Sequence, residues 1–314
     1  MNLVVGTWDP AWGHTWVTRG FGKVYALRSL AGGSALCVAD ESILSGEGPV
    51  ICRPGAEGWQ SFPTPGEHSC HITLLAHQAV VADYTSGSLS LFPLDEDGLP
   101  SGGPEVLYFE GSGPVAGRQD APHIHSSWIS PEGDSVVVAD LGSDALYRFA
   151  VREGRLDTRY IERKGMPAGS GPRHCAFGGG VLYVATELSD EVLVLSWPGM
   201  DLLQRVTVNP QRPGGGGHLA LSPDGRFLYV SSRLKGDGIA VLGIGEGGFL
   251  TPCSFACTRA HPRHFCLSPD GTKVIVACRD GNSIQVFDRS ASDGSLSDSG
   301  KSFIVVNPVF VEAL

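Results

Sequence analysis

Apolar and polar positions alternate along this chain in short runs with a recurring layout. In "HIHSSWISPEGDSVVVADLGSDALYRF" (123–149) a short apolar run ends at a turn, an alternating run follows, and a polar turn leads to a third run. The same layout returns at 172–197, 216–242 and 262–288, in altered form at 70–95, and weakly at 32–53. Runs of about four to eight residues rich in Val, Ile, Leu, Phe and Tyr, bounded by Gly, Pro and Asp, read as strands. No stretch has helical period and length, so the expectation is an all-β protein. Ser-Pro-Asp/Glu-Gly joins the first two runs in three of the copies. Those residues suit a tight hairpin turn, with Gly at the positive-φ position. The copy at 70–95 has "AHQA" at that place, and "AGGSALCVADES" near the N-terminus reads as an abbreviated unit.

The period follows from one aligned position, the residue after the second run. It is Glu41, Tyr84, Leu141, Glu187, Arg233 and Arg279, at intervals of 43, 57, 46, 46 and 46. Units of that length built from four strands are β-propeller blades. Six internal units plus "NLVVGTW" and "KVYALRS" make seven. The run "SFIVVNPVFV" (302–311) is expected to join those N-terminal strands in one blade and close the ring. The reading is thus a single domain over 1–314, a seven-bladed propeller of four-stranded antiparallel blades.

Antiparallel pairing gives the repeat a functional consequence. The start of each first strand and the end of each second strand fall at one end of the blade. Arg173, His174 and Glu187 should therefore meet, joined by Arg233, Arg263, His264 and Arg279 from the following units, and by His123 and His125. The i, i+2 spacing of the last two places both on one strand face. Side chains remote along the chain would then form one small-molecule site.

Composition narrows the chemistry. A net charge of −10 argues against a nucleic-acid binder, which needs a basic surface. No run approaches the roughly 20 apolar residues of a membrane span, and "MNLVVGTWDP" does not read as a signal peptide. The eight cysteines lack C-x-x-C pairs and read as reduced thiols of a cytoplasmic protein. The chain has neither a phosphate-cradling loop nor a G-x-S-x-G elbow, and no cofactor is expected. His174, His218 and His264 recur at one repeat position, which argues for blade anchoring. The H-x-H of His123 and His125 could hold a metal, but no carboxylate or cysteine stands at ligand spacing, so none is expected. Glu187 and Arg233 can also be read as no more than an ion pair between blades.

The words "RQDAPHIHSSWISPEGDSVVVADLGSD" (118–144), "GSGPRHCAF" (169–177), "YVATELSDEV" (183–192), "LALSPDGRFLYVSSR" (219–233) and "PRHFCLSPDGTKVIVACRDGNSI" (262–284) resemble the seven-bladed lactonase family. That family includes cycloisomerase-type 6-phosphogluconolactonases and 3-carboxy-cis,cis-muconate lactonizing enzymes. The resemblance spans roughly residues 67 to 288. It implies His125, Arg173, Glu187 and Arg233 as catalytic residues, although Thr186 and Ser232 stand where the family pattern has Asn.

For lactone hydrolysis, His125 would activate water, with Glu187 orienting it or itself acting as base. Arg173 and Arg233 would hold the anion and stabilise the oxyanion. His71, Arg118, His123 and Arg263 are further candidates for substrate binding. The expected partner is a small anionic lactone, and the expected state a monomer or weak homo-oligomer. Alternatives are a cycloisomerase closing a carboxymuconate, and a propeller that only binds a ligand or protein.

Overall fold

The computed structural model describes residues 3–7, 24–29, 35–40, 49–55, 58–211 and 214–313. Glu41 of the repeat alignment lies outside them. Among the described residues the regular structure is strand apart from one 3₁₀ turn at Glu246–Gly248, and it forms six four-stranded antiparallel sheets and one two-stranded sheet. The first sheet holds Val24–Ser29, Ala35–Asp40, Pro49–Gly55 and Gly58–Pro63. The second holds Ser69–Leu75, Gln78–Asp83, Ser88–Pro93 and Glu105–Tyr108, and the third Ile124–Ile129, Ser135–Asp140, Ala145–Arg152 and Arg155–Gly165. The fourth holds Pro172–Gly178, Val181–Thr186, Glu191–Ser196 and Leu202–Thr207. Gly215–Leu221, Phe227–Arg233, Gly238–Ile244 and Leu250–Cys257 make the fifth, and Pro262–Leu267, Lys273–Cys278, Ser283–Arg289 and Leu296–Ile304 the sixth.

The chain divides into two compact units, Lys23–Pro172 with the first three sheets, and Met1–Gly22 with Arg173–Leu314. Within each unit, sheets stack through apolar faces. Val80, Ala82, Leu89 and Leu91 of the second sheet pack on Val136, Val138, Tyr147 and Phe149 of the third. Tyr183, Val192 and Val194 of the fourth meet Leu228, Val230 and Leu242 of the fifth, which packs through Tyr229 and Val241 on Phe265, Val274 and Val276 of the sixth. Second strands are buried on both faces, as in Val181–Thr186 and Phe227–Arg233, so they read as continuous apolar runs. Fourth strands such as Leu202–Thr207 and Leu296–Ile304 are largely exposed and carry the polar residues. Each fully buried Val or Leu contributes roughly 1.5–3 kcal/mol.

The Ser-Pro-Asp-Gly turns form as their chemistry requires. Gly225 N donates to Ser222 O at 2.9 Å and Gly271 N to Ser268 O at 2.8 Å, with φ of 67° and 66° at the two glycines. In the second sheet "AHQA" gives a shorter solution. Leu75 and Gln78 pair across the strands, leaving Ala76 and His77 as a two-residue loop.

The chain termini differ from the sequence reading. The strand paired with Leu3–Thr7 is Pro308–Ala313, antiparallel, with Val5 opposite Val311. Residues 302–304 instead belong to the exposed outer strand of the sixth sheet, Ile304 standing opposite Ser283. "KVYALRS" does not join "NLVVGTW" either. Its strand pairs with Ala35–Asp40 and completes the first sheet, so the unit that reads as abbreviated is four-stranded. Backbone pairing sets these borders, and the weak hydrophobic pattern there does not reveal it.

Candidate active site

The aligned column of the repeat is a real structural position. Tyr84 N donates to His68 O at 3.2 Å, Leu141 N to His123 O at 3.0 Å, and Arg279 N to His261 O at 2.9 Å. In the second, third and sixth sheets the residue after the second strand is thus tied to the residue just before the first strand. Those ties place Tyr84, Leu141 and Arg279 equivalently; Glu187 directly follows the second strand of the fourth sheet, and Arg233 is the last residue of the second strand of the fifth.

Arg173, Glu187 and Arg233 meet. Arg173 Nε donates to Glu187 Oε2 at 3.0 Å and Arg233 Nη2 donates to the same oxygen at 2.5 Å. The arginine side chains are 3% and 4% exposed and the glutamate 12%. Arg173 Nη1 also donates to Gly217 O at 2.7 Å, and Arg233 Nη2 to Gly216 O at 3.3 Å. The glycine run "GGGG" (214–217) makes this possible. A Cβ on Gly216 would lie 2.2 Å from Thr186 O, and one on Gly217 2.2 Å from Ser231 Oγ. Bare backbone lets the fifth sheet approach the fourth and present two carbonyls to the arginines. Burying charge is costly unless it is balanced, and here two cations share one carboxylate. The Arg233 Nε is buried and has no hydrogen-bond acceptor among the described residues. Buried donors are almost always paired in proteins, so the trio is suited to accept an anionic oxygen.

Residues flanking the trio hold its loops. Thr186 Oγ1 lies 2.8 Å from Ser189 Oγ and accepts from Glu191 N at 3.0 Å. Ser232 Oγ donates to Asp190 Oδ2 at 2.9 Å, which also accepts from Gly214 N at 2.9 Å. Burial raises the Asp190 carboxyl above its ordinary range. Asp144 likewise accepts from Gly169 N at 2.6 Å and Gly171 N at 2.8 Å, and Asp237 from His261 N at 3.0 Å. A polar turn of one sheet thus fixes the segment leading into the next. The Asp-Leu-Gly-x-Asp word at 140–144 belongs to this system. Asp140 Oδ1 accepts from His123 N at 2.8 Å, and a Cβ on Gly142 would lie 1.9 Å from Ala121 O.

His125 and His123 lie in the other unit, both against Tyr84. The His123 ring stacks on Tyr84 at 4.5 Å, and the His125 ring meets it edge-on at 5.6 Å. His123 Nδ1 is 2.9 Å from Tyr84 O. A carbonyl only accepts, so the His123 proton sits on Nδ1. The strand register shifts between Ile124 and Ser126, which makes His125 the extra residue of a β-bulge, a device that re-aims a side chain. His71 is buried and its Nδ1 accepts from Ser127 N at 3.4 Å, beside Trp128. Arg118 is half-buried in the loop whose Gln119 Nε2 donates to Leu141 O at 2.8 Å. Arg263 occupies the matching bulge of the sixth sheet, where its charge acts on His261.

The recurring histidines form a ladder. His174 Nδ1 is 2.8 Å from His218 Nδ1, His218 stacks on His264 at 4.0 Å, and His264 packs on Phe310 at 4.6 Å. This fits anchoring of successive sheets. Among the described residues no group of three or more His, Cys, Asp or Glu is arranged to hold a metal ion, and no helix is long and apolar enough to cross a membrane.

Three side chains, one in the first unit and two in the second, escape the sequence reading as site residues. Tyr84 is visible only as a repeat position. His261 precedes the Pro-Arg-His word and is masked by it. Asp280 follows Arg279 in a turn and has no motif.

Comparison with known proteins agrees with this architecture. Residues 56–313 match the family described as lactonase, 7-bladed beta-propeller. The 6-phosphogluconolactonase of Formosa agariphila is 34% identical over 237 residues, 72% of this chain and 67% of that protein. The 6-phosphogluconolactonase of Bacillus subtilis is 31% identical over 262 residues, 79% of this chain and 74% of that protein. Among solved structures, the Pseudomonas aeruginosa periplasmic gluconolactonase superposes with a TM-score of 0.86 at 25% identity, covering 99% of this chain and 98% of that one. The chain belongs to the lactonase family of seven-bladed β-propellers. Its all-β sheets of four antiparallel strands are the blades of that fold.

Proposed function

We propose that this chain hydrolyses an anionic sugar lactone of the 6-phosphogluconolactone kind. The observation that carries the reading is the single Glu187 oxygen shared by Arg173 and Arg233, both buried. Two guanidiniums share one carboxylate oxygen where water is scarce, and an anionic substrate group would add favourable charge there. The same cations stabilise the oxyanion that forms when water adds to the lactone carbonyl. Glu187, accepting two charge-assisted hydrogen bonds, is a poor base and serves to hold the arginines apart and aimed. His125 remains the candidate base for water, held at its bulge beside Tyr84. The curated relatives named 6-phosphogluconolactonase support the substrate class.

The test follows loss of 6-phosphogluconolactone and of unphosphorylated gluconolactone against their spontaneous rates. Acceleration of the phosphorylated lactone, with a lower KM than its neutral counterpart, is expected. No acceleration of either overturns the reading, and a muconate absorbance assay run alongside reports the cycloisomerase reaction.

A further inference from the structure

His261 and Asp280 lie behind Arg233, outside the roles assigned above. His261 directly precedes the first strand of the sixth sheet, is 4% exposed, and has a φ of 59°. Its backbone is pinned on both sides. Its N–H donates to Asp237 Oδ1 at 3.0 Å and its carbonyl accepts from Arg279 N at 2.9 Å.

The ring is pinned too. Nε2 lies 3.2 Å from Arg233 Nη1, and Nδ1 lies 3.1 Å from Arg279 Nη2 and 3.3 Å from Asp280 Oδ2. A guanidinium has only N–H donors, so Arg233 faces Nε2 and Arg279 faces Nδ1 with a donor, while a neutral imidazole can accept at only one nitrogen; Asp280 Oδ2, on the Nδ1 side, is the one acceptor at the ring among the described residues, so Nε2 is the nitrogen that accepts. The imidazole is then neutral with its proton on Nδ1, and Asp280 Oδ2 is the acceptor for that proton. Arg279 in turn donates to Asp280, from Nε to Oδ1 at 2.6 Å and from Nη2 to Oδ2 at 3.0 Å. The charged groups acting on the ring are Arg233, Arg279, Arg263 and Asp280. Burial and the three cations push its basicity well below that of an ordinary imidazole.

The choice of residue matters physically. A carboxylate at this place would neutralise Arg233, and an apolar side chain would leave the buried Nη1 without an acceptor. A neutral imidazole does neither.

We propose that His261 is a positioning residue for anion binding: held in one tautomer by Asp280, it aims the Arg233 guanidinium at Glu187 without cancelling its charge. This rests on the reading of Arg233 as an anion-binding group. It also gives Asp280 a task, since its Oδ2 is the acceptor that keeps the proton on Nδ1, while Arg279 holds that carboxylate in place.

The experiment has two arms. Nitrogen-15 NMR of the wild-type protein reads the His261 tautomer at neutral pH, and calorimetry reads inorganic phosphate affinity in wild type, His261→Gln and His261→Leu. The expected result is a protonated Nδ1 with a bare Nε2. Phosphate affinity should fall about ten-fold or more in His261→Leu and recover most of the way in His261→Gln, whose amide oxygen can accept from Arg233. KM for the lactone should follow the phosphate affinity, with kcat changing less. A proton on Nε2 in the wild type, or equal phosphate affinity in all three proteins, overturns the proposal. The tautomer arm needs no variant to fold. A wild type that binds phosphate but accelerates no lactone overturns the functional reading alone, while the tautomer and the variant affinities still decide the role of His261.

Discussion

Arg173 of the fourth sheet and Arg233 of the fifth are joined through one oxygen of Glu187, at 3.0 and 2.5 Å, with both guanidiniums buried. Removing either partner of a buried pair leaves an uncompensated charge, which costs far more than a surface pair is worth. The bridge therefore couples the stacking of two sheets to the placement of two cations.

Glu187→Gln keeps the shape and removes the negative charge. It should destabilise the protein by about 3 kcal/mol or more, seen as a lowered midpoint in urea unfolding. Lactonase kcat/KM should fall about 100-fold, because the two arginines repel and lose their aim.

His125→Asn preserves bulk and polarity at the bulge but cannot accept a proton from water. The expected effect is a loss in kcat of about 100-fold or more, with KM nearly unchanged and the melting temperature within a few degrees of wild type. Steady-state kinetics and a thermal melt on the same preparation check both halves.

Asp83 ends the second strand of the second sheet, fully buried, and accepts from Ser69, from Ser90 at 2.7 Å and from Ser88 at 3.3 Å. Burial outweighs these hydrogen bonds and pushes its carboxyl up to about 6. An acid whose folded value is raised contributes stability that is fully present below the unfolded value of 3.8 and lost as pH rises through about 6. The shift of about two units corresponds to about 3 kcal/mol. Asp83→Asn should flatten this part of the stability profile, and thermal melts between pH 4 and 7 report it as a smaller slope.

Gly216→Ala places a Cβ 2.2 Å from Thr186 O, and backbone cannot move aside cheaply. The fifth sheet must shift from the fourth, which moves the Gly216 carbonyl away from Arg233. A loss of about 2–3 kcal/mol and a raised KM for the anionic lactone are expected together. Denaturant unfolding and kinetics measure the two effects.

Much of this was legible in the residues. The 46-residue spacing of Glu187, Arg233 and Arg279 marks one structural column because each blade solves the same packing problem. The Pro-Arg-His words flag first strands because their histidines stack as a ladder. The pairing of the termini is not legible because "KVYALRS" and "SFIVVNPVFV" have strand character without partner information; pairing is set by distant backbone. His261 and Asp280 stayed hidden for a related reason. Their importance comes from Arg233 and Arg279 facing them, which no local spacing records. The bulges at His125 and Arg263 were equally silent, since one extra residue leaves the apolar pattern almost unchanged.

In the proposed function Arg173 and Arg233, bridged by Glu187, hold the anionic end of a sugar lactone. The most direct measurement is the dissociation constant of 6-phosphogluconate, the reaction product, for wild type and Arg233→Lys by calorimetry at fixed ionic strength. Lysine keeps the charge but loses the planar fork that reaches Glu187 and His261. Binding should weaken about ten-fold or more in the variant and fall further with added salt. Equal affinity in the two proteins, or no binding to either, would contradict the proposed function.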